Sequence, residues 1–185
     1  MNESYNEHWG RSAEVPVPTA DDFGQVVNEI CEKALNDAKE QLHPLIRSAE
    51  LTRLRKRSEF VEAFRRSLEK RIAQSLAAWQ PGILAVFQFD DPWMDKHQAW
   101  DGSIHLLVKV ARLSQAIKTL GKKLDHSLTA CLKQLGWSHF HERQSILEVQ
   151  QVTLNELRHG TSYGAMFSAI YSVPVEVWRA KRQTG

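Results

Sequence analysis

Cysteine is scarce in this chain, with Cys31 and Cys131 the only two among 185 residues. Two thiols so far apart make neither a disulfide framework nor the close ligand spacing of a zinc site. They read as small buried side chains in a reducing compartment, which points to a cytoplasm. Long hydrophobic runs are also missing. No apolar stretch approaches the roughly 18 residues that span a bilayer, so no membrane partner is expected. Residues 1–17 hold acidic and polar side chains without an apolar centre, and so do not read as a signal peptide. There is no repeat, no low-complexity tract, no Gly-rich phosphate loop and no G-x-S-x-G nucleophile elbow. Net charge is small at +2, too near balance for a chain that coats nucleic acid over its whole surface. What remains, 42% apolar and 25% charged, is the composition of an ordinary globular domain.

The charge is nevertheless unevenly placed. Residues 1–50 carry four Lys/Arg against ten Asp/Glu, and residues 51–80 carry eight against three. Both stretches read as helices. Phe23, Val27, Ile30, Ala34, Ala38 and Leu42 recur at three- and four-residue steps after Thr19, Asp21 and Asp22, which suit a helix start. Pro44 stops or kinks this helix. A second helix is expected from about Ala49 to Trp79, with Leu54, Val61, Phe64, Leu68, Ile72, Leu76 and Trp79 on one face and Pro81-Gly82 ending it. A short link between two such helices gives an antiparallel hairpin. Residues 1–20, with Pro16 and Pro18 and no periodicity, read as a flexible lead.

After Gly82 the pattern changes. Ile83 to Phe89 is a short apolar run that predicts a strand buried on both faces. Ile104 to Val110 alternates and predicts a second strand. Arg112 to Leu135 reads as a helix whose stripe is Leu113, Ile117, Leu120, Leu124, Leu128, Cys131 or Leu132, and Leu135; Lys118, Lys122 and Lys133 lie off that stripe. Ile146 to Val152 predicts a third strand, and Thr153 to Glu156 matches a capping box opening a short helix closed by Gly160. Residues 163–171 are ambiguous. Val173 to Trp178 is strand-like, with Pro174 suggesting a sheet edge. The expected fold is α+β: a helical hairpin over residues 21–80, packed on a small, mostly antiparallel sheet with one long covering helix within residues 81–185.

Four places could carry chemistry. The basic face of the second helix, especially Arg53, Lys56, Arg57 and Arg65, could contact phosphates by displacing condensed counterions. The competing reading is a solvated face that pairs with Glu29, Glu32, Asp37 and Glu40 of the first helix. Asp90, Asp91 and Asp101, with Glu148 on the third strand, could hold a divalent metal for phosphodiester cleavage; Asp-Pro and Asp-Gly are equally ordinary turn formers. His139 and His141 could share a strand face, but further ligands are lacking. His126 beside the apolar stripe could be buried, and His105 should face solvent. Ser162 with His159 is a conceivable nucleophile and base, although the capping box explains most of that segment. The leading expectation is a non-enzymatic protein, without a cofactor, that engages nucleic acid or an acidic protein surface through a basic helix. A metal-dependent nuclease and an oligomer-forming structural subunit are the alternatives.

Overall fold

The computed structural model describes residues 16–42, 58–89, 103–135, 145–168 and 173–180. Within them the order is α1 (Ala20–Leu42), α2 (Ser58–Trp79), β1 (Ile83–Gln88), β2 (Ile104–Val110), α3 (Gln115–Gln134), β3 (Leu147–Thr153), α4 (Leu154–His159), a 3-10 helix (Ser162–Ser168) and β4 (Val175–Arg179). The four strands lie in the order β3-β2-β1-β4. β1 pairs antiparallel with both β2 and β4, whereas β2 and β3 are parallel. The sheet is therefore mixed, because α3 carries the chain back across the sheet before β3 begins. The class is α+β, as the sequence pattern expects.

The helical hairpin packs on the sheet through α2, and α1 lies against both α2 and α3. The apolar stripe of α1, from Phe23 through Val27, Ile30, Ala34 and Ala38, is buried. So are Phe60, Phe64, Leu68, Ile72 and Leu76 of α2, each fully excluded from water. One continuous core joins these helices to Val86, Leu106, Val108 and the stripe of α3. Emptying one of these positions, as in Leu68→Ala, costs about 2–5 kcal/mol through lost transfer energy and the cavity left behind. Phe23 at the start of α1 meets Trp79 at the end of α2, with ring centroids 5.7 Å apart. This contact closes the open end of the hairpin.

The opposite face of the sheet has its own, smaller cluster. Ala85, Phe87, Leu107 and Val152 are covered by Leu157, Tyr163 and Phe167 from the α4 to 3-10 segment, with Phe89 alongside. The capping box forms as the sequence predicts: the Glu156 amide donates to the Thr153 hydroxyl, and the Thr153 amide donates to Glu156 Oε2. Gly160, with φ of 61°, ends α4 in the left-handed region that favours glycine. Within the ambiguous stretch after it, residues 163–168 lie in the 3-10 helix; residues 169–171 lie outside the described residues. In that helix Gly164 is required, since a Cβ would fall 2.1 Å from the Glu156 carbonyl oxygen. No described helix is long and apolar enough to cross a membrane.

Candidate functional site

The arginines among the described residues of α2 are matched by carboxylates. Arg65 Nε donates to Glu69 Oε1 at 2.8 Å, and its side chain is only 11% exposed. Glu62 lies on its other side, 3.9 Å away, and accepts from Arg66 at 2.8 Å. Arg71 reaches across to α1 and donates through two nitrogens to Asp37, each at 2.7 Å. The Ser67 hydroxyl donates to the same carboxylate. The Arg71 bonds hold the Asp37 carboxyl below its ordinary range, aided by Ser67 and the nearby Lys70 charge. Arg65, expected to contact a partner, thus turns into the protein toward Glu69. Arg53, Lys56 and Arg57 lie outside the described residues, as do Asp90, Asp91 and Asp101.

A different positive surface is left open. Residues 103–135 contain six Lys/Arg and a single acid, Asp125. On α3, Lys118, Lys122, Lys123 and Lys133 are all exposed. None of them forms an ion pair among the described residues. At 3.6 residues per turn, Lys118, Lys122 and Lys133 fall within an arc of about 60° on the side away from the core. His126 lies on this exposed side too, because the buried stripe of Ile117, Leu120, Leu124 and Leu128 occupies the other side. Asp125 does not neutralise the lysines through its Oδ1. That oxygen accepts from the Ile146 and Leu147 amides at 2.7 and 2.8 Å, capping the start of β3.

The placement of α3 follows from three contacts along its length. Near its start, Gln151 and the Ser114 backbone exchange two hydrogen bonds, of 2.8 and 2.9 Å. In its middle, Gly121 lets the helix approach Val149 so closely that a Cβ would sit 3.0 Å from the Val149 Cβ. Further on comes Asp125, beside Leu147. The helix consequently runs antiparallel to β3, over the face that carries Leu147, Val149 and Gln151. The glycine that weakens helix propensity is what brings the two elements together.

Beside β3 lies a cleft of about 840 Å³. Its walls are α3, with Lys118 and Lys122, and the segment carrying Glu156, Ser162 and Tyr163. Ser162 sits at φ 46°, a left-handed conformation uncommon for a residue other than glycine. Burial, and then the neighbouring Glu148 charge, push the Tyr163 hydroxyl up from its ordinary value.

Glu148 has partners already. His105 Nδ1 lies 3.0 Å from its Oε2, and Gln150 Nε2 donates to Oε1 at 2.6 Å. The parallel register places His105 directly opposite Glu148. His105 also packs on Phe89, with ring centroids 5.4 Å apart. It is therefore half-buried rather than facing solvent as the strand alternation suggests. Among the described residues no three His, Cys, Asp or Glu side chains gather as a metal site. The two cysteines, distant in sequence, meet in the core between α1 and α3. The hydrogen bond that the Cys31 thiol donates to Cys131, with burial, raises Cys31 above its ordinary range.

Comparison with protein-family models, curated proteins and solved structures finds no match.

Proposed function

We propose that this is a non-enzymatic binding protein that holds an anionic partner on the lysine face of α3. The observation that carries the reading is the set of exposed lysines on one face of α3, Lys118, Lys122 and Lys133, none of which forms an ion pair among the described residues. Lysine ammonium groups attract carboxylates and phosphates alike as point charges, and such contacts weaken with salt. The basic helix expected from the sequence is thereby reassigned from α2, whose described arginines serve internal ion pairs, to α3.

The test is a salt titration. Fluorescence anisotropy of labelled polyglutamate and of a labelled single-stranded oligonucleotide is measured with the full chain. At least one probe binds, its affinity falls steeply as salt rises, and the triple reversal Lys118→Glu, Lys122→Glu, Lys133→Glu weakens it by tenfold or more. Binding of neither probe at low salt, or binding indifferent to the reversal, contradicts the proposal.

A further inference from the structure

We propose that Cys31 and Cys131 form a redox-sensitive clamp between α1 and α3, open as two thiols and closed as a disulfide once a small hydroperoxide has oxidised them. The clamp goes beyond the binding reading and stands independently of it. One thiol sits on α1 and the other on α3. Both are buried, and both belong to the core that joins the two helices. Their sulfurs are within hydrogen-bond reach, with the Cys31 thiol donating to Cys131. They are the only cysteines of the chain, so each has the other as its sole intramolecular partner.

The backbone spacing of packed helices suits the bond. Helix axes pack about 8–10 Å apart, and each Cα stands about 2.3 Å off its axis. Squarely facing Cα atoms are then about 3.5–5.5 Å apart, and offset ones further. That range overlaps the roughly 4.4–6.8 Å that a disulfide bridges. The buried positions of α1 after Cys31 are Ala34 and Ala38, whose short side chains let the helix lie close to its neighbours. Closing the clamp therefore needs a shift of side chains rather than a rearrangement of helices.

The two thiols differ in access. Cys131 is 5% exposed and Cys31 is fully covered. Cys131 also lies in the last turn of α3, and helix ends open more readily than helix middles. The hydrogen bond from Cys31 lowers the Cys131 thiol, against burial and the Glu32 charge. Cys131 is accordingly the first target, because the thiolate is the nucleophile. Its sulfur attacks one peroxide oxygen, the O–O bond breaks, and the departing hydroxide takes the thiol proton to leave as water. Cys131 is now a sulfenic acid, oxidised by two electrons. The Cys31 sulfur attacks it, the S–OH bond breaks, and that hydroxide leaves as water with the Cys31 proton. Two thiols and one peroxide thus give one disulfide and two waters. A dithiol reverses the change, its own sulfurs ending as a cyclic disulfide. Reversible pairs of this kind are the usual form of a disulfide in a reducing compartment.

The experiment treats the reduced, folded full chain with a small excess of hydrogen peroxide, then denatures it and alkylates the remaining thiols. The expected product is a single chain lighter by two hydrogen atoms, with both cysteines protected from alkylation and joined in one cross-linked peptide. Dithiothreitol restores both thiols. The oxidised chain should melt at least about 5 °C higher, since the bond closes a long loop of the unfolded state. Cys31→Ala and Cys131→Ala should each abolish the product. A sulfenic or sulfinic acid that accumulates in the native chain without a disulfide overturns the proposal. So does a disulfide formed only between chains or only after denaturation, and so does an oxidised chain that melts lower than the reduced one. A loss of two hydrogen atoms that persists in either variant overturns the pairing.

Discussion

Two helices of this molecule are rich in basic residues and use them in opposite ways. On α2, Arg65, Arg66 and Arg71 each meet a carboxylate, two of them on the same helix and one on α1. On α3 the four lysines are exposed and meet none among the described residues. The difference is tertiary. α2 lies between α1 and the sheet, where Arg65 is nearly covered and a buried charge without a counter-ion would cost several kcal/mol. α3 lies over the last strand, with its outer side in water. A basic run in a sequence becomes a binding surface only where the fold leaves it without internal acids.

The comparison can be broken most severely at Glu69. Glu69→Ala removes the buried carboxylate that receives Arg65, and is expected to cost about 3 kcal/mol, the size seen when one member of a buried pair is deleted. Urea denaturation measures it. A loss below about 0.5 kcal/mol, the level of an ordinary surface change, would show that the α2 charges are not structural.

Gly121→Leu comes next. The new side chain runs into Val149, and overpacking of this kind costs about 1–3 kcal/mol. Because it pushes α3 away from β3, it is also expected to weaken polyglutamate binding although no charge changes. Retained stability together with retained affinity would show that the close approach is not what positions the lysines.

A smaller effect is expected at the ion pair between α1 and α2. The Asp37 carboxyl is held below its unfolded value by Arg71. Its contribution is therefore complete above the ordinary carboxylate value of about 4, and fades as pH falls through the lowered folded value. Asp37→Asn should lower stability at pH 7 by about 1 kcal/mol or less, since the pair is partly exposed, and by less still in acid. Thermal melts of both proteins at pH 7 and pH 2.5 measure the convergence; a gap unchanged between them would contradict the assignment.

The smallest effect on stability belongs to Lys118→Glu with Lys122→Glu. These side chains make no ion pair among the described residues, so the loss should stay within about 0.5 kcal/mol. Binding should change far more than folding, the reverse of Glu69→Ala.

How much of this was legible in the sequence differs by range of contact. Local patterns were sufficient for the buried stripes of α1 and α2, for the alternation of Ile104 to Val110, and for the Thr153 capping box. Contacts between distant segments were not legible. Arg71 finds Asp37 across 34 residues, and His105 finds Glu148 across 43. The second pair forms because β3 is parallel to β2, a pairing that period-two alternation does not specify. Lys118, Lys122 and Lys133 stood off the apolar stripe, but their freedom depends on α3 lying over the terminal strand. His126, next to that stripe, faces outward for the same reason. The close approach of Gly121 to Val149 is likewise a contact between distant segments.

The central claim is that the α3 lysines, and not the α2 arginines, present the protein's usable positive charge. The direct measurement compares polyglutamate affinity, at one low salt concentration, for the native chain, for Lys118→Glu with Lys122→Glu, and for Arg66→Glu with Lys70→Glu. The α3 pair should lose tenfold or more, while the α2 pair, with the same change in net charge, should stay within about threefold. Equal losses in both, or a larger loss from the α2 pair, would contradict the account.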